Sequence, residues 1–242
     1  MPASTRCCGK GQLAMSDSAP ERAFPRFRQE YFIRQSLKEL ATYSLAFNQR
    51  IVGAFANLSA EADNVQNEEY ERLNSSYSGW EEDDSRISEA AYHKGVDYYL
   101  ATAAIRQGVV NLMVAGLFHL FEQHAITVTR EVCYPSRPPS TDKPFDGLKQ
   151  CIRTLGIEAS ALPSYNKLDE LRLLANVVKH GDGGSASKLR TLRPDLFEES
   201  SLPLRPLIGD GVKLTENHFT EYKTVVESFW REVANALAPL LS

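Results

Sequence analysis

The sequence predicts an all-α protein: a helical bundle with two long antiparallel helices, several shorter helices and one small β-hairpin. Apolar residues recur at intervals of three and four through most of the chain, which is the period of an amphipathic helix. Only one short segment has paired glycines spaced for a hairpin turn. With 242 residues, of which 43% are hydrophobic and 24% charged, the chain is long enough to bury a sizeable core.

Residues 1–22 differ in composition from the rest of the chain. They are rich in serine, alanine, glycine and polar residues, and they lack the apolar core of a signal peptide. We therefore expect a disordered N-terminal tail, followed by a single helical-bundle domain over residues 23–242. The formal net charge of −4 creates no global basic field, so any contact with nucleic acid requires a local patch.

Two long stretches carry the helical period. The first covers residues 26–73 and the second residues 85–133, with a turn between them. At 1.5 Å per residue, about 45 helical residues span roughly 70 Å, so we expect a bend near Gly95 or Gly108. The two stretches are predicted to form the antiparallel pair.

A loop with four prolines covers residues 134–144 and forbids both helix and sheet. We expect it to cross between two halves of the bundle. The remaining elements are predicted to be helices over 145–155, 164–180, 187–192 and 215–237, and a β-hairpin over 203–214, where two glycines flank an aspartate.

The cysteines and the most apolar run bear on the compartment. Cys7, Cys8, Cys133 and Cys151 have no metal-ligand spacing, so we interpret them as free thiols in a reducing, cytoplasmic compartment. The run at 109–121 is too short for a membrane span, which needs about 20 apolar residues, so we expect no membrane contact. We expect no metal and no cofactor, because the sequence has no zinc set, Walker loop or dinucleotide fingerprint.

The candidate catalytic residues are Arg172, Asn176 and His180, spaced by four on one predicted helix. Apolar residues flank this stripe on both sides. A solvent-facing stripe usually carries lysine and glutamate, whereas this one suits phosphodiester chemistry. A guanidinium binds phosphate oxygens in a fork, an amide orients its neighbours, and a histidine titrates near neutrality.

A glycine-rich segment follows His180. Gly181, Gly183, Gly184 and Ser185 form a candidate phosphate-binding loop, because glycine backbone approaches a phosphate closely and the next helix begins there. The alternative interpretation is structural. Gly181 then only ends the helix, basic residues in the last turn suit the helix dipole, and Arg172 forms a surface pair with the aspartate one turn earlier.

A second polar stripe lies on the long central helix, at Gln107, Asn111, His119 and Glu122. His119 and Glu122, together with Lys179, are candidate supporting residues that face the first stripe and shift the pKa of its histidine. The alternative is that His119 and Glu122 satisfy each other or a neighbouring loop, since buried polar groups need partners.

The late helix that ends in Asn-x-x-x-His resembles the HEPN superfamily. Asn176 and His180 match the polar position and the histidine of its motif, whereas the position of the family arginine holds Ala175, and Arg172 lies one turn earlier. The resemblance implies an α-helical bundle from bacterial toxin–antitoxin or antiviral defence systems. It also implies a metal-independent endoribonuclease that works as a dimer, with the two motif helices meeting at the interface.

Three functions from different classes therefore stay open. The first is a HEPN-like protein that cleaves or binds RNA, with Arg172 on the phosphate and His180 as acid or base. The second is a non-catalytic helical subunit of a larger complex, with a protein partner bound through the proline-rich loop, the acidic turn at 81–84 or an exposed helix face. A third is a small-molecule or nucleotide-binding domain that uses loop 181–187.

Overall fold

The structure is a computed structural model that describes residues 23–76, 82–133, 143–181, 183–197 and 211–238. About 89% of it is helical, and these residues contain no strand, so the all-α prediction is confirmed. The predicted tail at 1–22 and the proline-rich loop up to residue 142 lie outside the described residues. The single-domain organisation stays a prediction.

Seven α-helices form the described fold. They are α1 Ala23–Ala46, α2 Leu58–Ser76, α3 Glu82–Val128, α4 Pro144–Thr154, α5 Tyr165–His180, α6 Gly184–Leu192 and α7 Glu216–Leu237. Single turns of π-helix lie at Phe47–Ile51 and Thr129–Cys133, and short 3₁₀ turns at Gly53–Phe55, Ala159–Ala161 and Pro194–Leu196.

The predicted antiparallel pair is present, but its first member is two helices. Both α1 and α2 run antiparallel to α3, as shown by the pairs Glu39–His124, Tyr43–Met113, Glu61–Tyr98 and Tyr70–Asp84. The π-turn at Phe47–Ile51 separates them. Phe47 is fully buried there and stacks on Phe219 of α7, with ring centroids 3.9 Å apart. The contact between Phe47 and α7 lies at the break between α1 and α2, which the periodicity of the sequence did not predict.

Helix α3 continues through both of the glycines at which a bend was predicted. Gly95 serves packing instead. A Cβ at this position would lie 2.9 Å from Cβ of Gln66 and 3.1 Å from the carbonyl oxygen of Ala62, so its absence lets α2 approach closely. Partner helices along its length explain how one helix extends across 47 residues.

One hydrophobic core joins α1, the C-terminal part of α3, α4, α5 and α7. Phe121 lies at its centre, with its ring 5.4 Å from the rings of both Phe229 and Trp230 and 5.3 Å from that of Phe145. No residue of α2, and none of α3 before Val110, belongs to this core. Residues 58–76 and 82–100 thus form a helical hairpin outside the main core, which we call the arm.

The predicted β-hairpin is wrong for the part that the structure describes. Residues 201–210 lie outside the described residues, and Val212–Leu214 is irregular rather than strand. Its hydrogen bonds go to α3: the Asn111 amide donates to the Val212 carbonyl at 2.8 Å and accepts from the Leu214 N–H at 3.2 Å. Gln107 donates to the Leu214 carbonyl at 2.8 Å. Side-chain amides therefore replace a partner strand.

These hydrogen bonds, which we call the clamp, give Gln107 and Asn111 of the second polar stripe a structural role. Asn111 is fully buried, and its replacement by alanine leaves the Val212 carbonyl and the Leu214 N–H without these partners. We expect Asn111→Ala to lower the free energy of unfolding by about 3 kcal/mol, measured by urea denaturation. Asn235→Ala, at an exposed position of α7, is the matched control. A loss below about 0.5 kcal/mol would contradict the clamp.

The structure bears on two expectations about the cellular compartment, one from the cysteines and one from the most apolar helix. Cys151 is fully buried and disulfide-bonded, so the interpretation of all four cysteines as free thiols is wrong; the side chains of the other three lie outside the described part.

By length and composition alone, the helix over Asp84–Glu131 is apolar enough to cross a membrane, a test that core helices of soluble proteins also pass. The cytoplasmic location stays a prediction.

Candidate functional site

Helix α5 presents its polar stripe between two buried flanks, as the sequence predicted. Leu171, Leu174 and Val178 are buried on one flank, and Leu173 and Val177 on the other. The helix ends where Gly181 adopts a positive φ of 72°, with its N–H bonded to the Val177 carbonyl at 2.8 Å. At the start of the helix, Ser164 occupies the N-cap position but its side chain forms no cap hydrogen bond. Its hydroxyl donates instead to Glu232 of α7 at 2.6 Å.

The stripe opens into a cavity of about 440 Å³ between α3, α4 and α5. Its lining comprises Phe118 and Glu122 from α3, Lys143, Phe145, Asp146 and Lys149 at the start of α4, and Asp169, Arg172 and Asn176 from α5. The predicted residues Arg172, Asn176 and Glu122 therefore face one space. Three basic and three acidic side chains surround it, so the cavity has no strong net charge but many directed polar groups.

Two ion pairs organise the basic side chains. Nε of Arg172 donates to Asp169 at 2.6 Å, and Nζ of Lys149 lies 2.6 Å from Asp146. The predicted Asp169–Arg172 surface pair is thus present, but at the wall of the cavity. The described residues provide Arg172 with no other hydrogen bond, so both of its terminal nitrogens stay available to a ligand. The Lys149 ammonium holds the pKa of Asp146 below its usual range.

Glu122 is the carboxyl group in this cavity without an ion pair to a described residue. Burial raises its pKa, and the positive charges of His119 and Lys179 offset that effect in part. Within the described chain, His119 and Glu122 form no hydrogen bond with each other, so the alternative of mutual satisfaction is wrong in its simple form. His119 is exposed and does not line the cavity.

The structure does not bring His180 into the cavity. His180 and Lys179 are exposed at the end of α5, and neither lines the cavity with Arg172 and Asn176. Lys179 is close enough to act electrostatically on Glu122. The three residues predicted to be catalytic thus comprise two cavity residues and one exposed histidine at the helix end.

The candidate phosphate loop differs from its predicted form. Helix α6 begins at Gly184, so Gly184 and Ser185 belong to its first turn, and Gly183 precedes it with extended backbone at φ 168°. Residue 182 lies outside the description. Asn176 donates to the Ser185 hydroxyl at 3.5 Å, a long hydrogen bond that connects the loop to the stripe. The first N–H groups of α6 lack partners within the helix.

Helix α4 supplies residues that sequence reasoning missed: Lys143, Asp146 and Lys149. The apolar seam of α4, with Phe145, Leu148 and Ile152 buried, predicts a polar opposite face. It does not predict which helix that face adjoins. In the described ranges, no group of three or more histidine, cysteine, aspartate or glutamate side chains is arranged to hold a metal ion.

The comparisons with known proteins return nothing: no family model, no curated protein and no solved structure matches this chain. The HEPN resemblance therefore depends on Asn176 and His180 and on the helical fold alone.

The raised pKa of Glu122 predicts a pH-dependent stability effect. Because the folded chain holds this proton more tightly than the unfolded chain does, ionised Glu122 costs stability above its folded pKa. The cost disappears below the unfolded pKa of about 4.3. We expect Glu122→Gln to raise the free energy of unfolding at pH 7 and to change it little near pH 3.5, in urea titrations. Glu89→Gln, at an exposed position on α3, is the control. An equal effect at both pH values would contradict the assignment.

Proposed function

We propose that this chain is a HEPN-like RNA-binding protein with metal-independent phosphodiester chemistry, of the kind found in bacterial defence or toxin systems. One observation carries the proposal: Arg172 and Asn176 face a common cavity with Lys143 and Lys149. Arginine and lysine side chains are the usual ligands of RNA phosphates, and the terminal nitrogens of Arg172 suit two phosphate oxygens at once.

In the proposed cleavage step, His180 acts from the exposed end of α5, outside the cavity that Arg172 lines. His180 accepts the proton of a ribose 2′-hydroxyl. The 2′-oxygen attacks the adjacent phosphorus, and the bond from phosphorus to the 5′-oxygen breaks. The leaving 5′-oxygen takes a proton from water, and the products carry a 2′,3′-cyclic phosphate and a 5′-hydroxyl. Arg172 binds the phosphate, and Asn176 orients the RNA or the histidine.

A dimer belongs to the proposal because the resemblance implies one. Lys179 and His180 are both exposed at the end of α5, so a second copy or an RNA strand has access to them. The loop at Gly183 and Gly184 lies at the same end of the helix. Light scattering on the purified protein measures the oligomeric state directly.

The experiment for this proposal is RNA cleavage and binding by purified protein in EDTA. We expect the native chain to cut tRNA or total RNA, and Arg172→Ala and His180→Ala each to lower the rate by about 100-fold or more. In fluorescence-anisotropy titrations with single-stranded RNA, Arg172→Ala is expected to lower the slope of log affinity against log salt by about 0.7, because one phosphate contact is lost.

The controls are Arg153→Ala and His93→Ala, which remove exposed side chains of the same two types away from the cavity lining. Both should cut and bind RNA as the native chain does. Binding that persists in all variants without cleavage would limit the protein to RNA binding. A native chain that neither binds nor cuts RNA at high concentration contradicts the proposal.

The arm favours a second candidate function, a non-catalytic subunit of a larger complex. Residues 58–100 contain eleven acidic and three basic side chains, a formal net charge of −8 against −4 for the whole chain. Tyr92 and Tyr99 are 55% and 44% exposed on the α3 side of the arm. Aromatic side chains in an acidic surround suit a basic protein partner, because charge guides association and the rings supply contact area.

This second function predicts a specific loss of partner. We expect a partner that co-purifies with the native chain to be lost from the double variant Tyr92→Ser and Tyr99→Ser, with an unchanged melting temperature. Tyr31→Ser on α1, where the side chain is 54% exposed, is the matched control. Retention of the partner by the double variant would rule out the arm as the binding surface.

A further inference from the structure

Glu122 differs from the other two carboxylates of the cavity in having no positive group bound to it. Asp146 is paired with Lys149 and Asp169 with Arg172, each at 2.6 Å. No described residue donates a hydrogen bond to Glu122, although it is half-buried in the wall. A half-buried carboxylate without donors is unfavourable, so both of its oxygens are available to donors on whatever fills the cavity.

The rest of the cavity defines the shape of such a ligand. Phe118 and Phe145 supply the apolar part of the wall, with their rings edge to face at 6.3 Å, but both are almost fully buried, and Nζ of Lys149 lies 5.0 Å from the centroid of the Phe145 ring. Arg172 and Asn176 line the same cavity from α5. A cavity of about 440 Å³ accommodates a planar heterocycle with a sugar phosphate attached. A carboxylate acceptor hydrogen-bonds the donor edge of an unstacked nucleobase, and a guanidinium binds the attached phosphate.

We propose that Glu122 selects guanine in this cavity, while Arg172 binds the attached phosphate. The inference rests on the proposed RNA function and names its base preference. Guanine presents two neighbouring donors on one edge, N1–H and the N2 amino group, and a carboxylate has two acceptors at matching separation. Adenine, cytosine and uracil each have an acceptor next to a donor on that edge. This acceptor would face a carboxylate oxygen with no proton between the two atoms, so no hydrogen bond forms there. The guanine belongs either to an RNA strand or to a free nucleotide.

The first test uses free nucleotides and isothermal titration calorimetry at pH 7.5, about three units above the ordinary pKa of a glutamate. We expect native protein to bind 5′-GMP about tenfold more tightly than 5′-AMP, 5′-CMP or 5′-UMP, with 5′-IMP intermediate because it lacks the N2 amino group. Glu122→Gln should bind GMP about tenfold more weakly and AMP as the native protein does. The control Glu89→Gln should keep the native preference. A merely structural role for Glu122 would weaken all nucleotides alike.

The second test separates the two sources of guanine. Anisotropy titrations compare single-stranded RNA that contains guanine with RNA that lacks it. Tighter binding of the guanine RNA, lost in Glu122→Gln, supports recognition within a strand. Selective binding of GMP without RNA binding supports a free guanine nucleotide and contradicts the RNA function. Equal binding of both RNAs, weakened only by Arg172→Ala, overturns the guanine inference and leaves RNA binding intact. Equal affinity for all four nucleotides also overturns it.

Discussion

The Glu170 carboxylate fixes which face of α5 reaches the cavity. One of its oxygens accepts hydrogen bonds from Lys167, Arg193 and the Tyr222 hydroxyl, at 2.8, 2.8 and 2.5 Å. Burial alone would raise the pKa of Glu170, but these donors lower it overall, so the folded chain favours the ionised carboxylate. Tyr222 is fully buried on α7, and the cluster therefore prevents rotation of α5 against α7. Two residues further along a helix point to nearly the opposite side, so Arg172 is directed away from α7 and towards α4.

Helix α3 joins two parts of the molecule that differ in charge. Its C-terminal part belongs to the main core, and its N-terminal part pairs with α2 in the arm. The arm region carries a formal charge of −8, so the remainder of the chain carries +4 although the total is −4. The positive excess belongs to residues 1–57, whereas residues 101–242, which contain the cavity, carry sixteen basic and sixteen acidic side chains and are neutral overall. In the proposed RNA function, the acidic arm repels RNA more strongly than the neutral region around the cavity does.

Helix periodicity predicted the features that depend on local sequence, and it missed those set by distant contacts. The all-α class, the end of α5 at Gly181 and the two buried flanks of its stripe follow from spacing and glycine chemistry. The break after α1 does not, because residues 26–52 contain no proline or glycine and Phe47 packs on Phe219, far along the chain. The clamp at 212–214 depends on Asn111, about 100 residues earlier, and no local signal predicts it. The contribution of α4 to the cavity likewise depends on tertiary packing.

Arg172 lies one turn before the position of the HEPN arginine, and its contact with Asp169 bears on whether it can bind a phosphate from there. Asp169 binds Arg172 through Nε, so the two terminal nitrogens are oriented rather than free to sample rotamers. This pairing lowers the positive potential at the cavity and weakens attraction of a distant phosphate. It also reduces the entropy lost when a phosphate binds, because the side chain is already placed. The guanidinium lies one turn before Asn176 on the same face, and both line the cavity. An arginine one turn earlier than the HEPN position is therefore compatible with the proposed phosphate binding beside Asn176. In the proposed cleavage, the exposed position of His180 makes proton transfer depend on how the RNA or a second copy is placed.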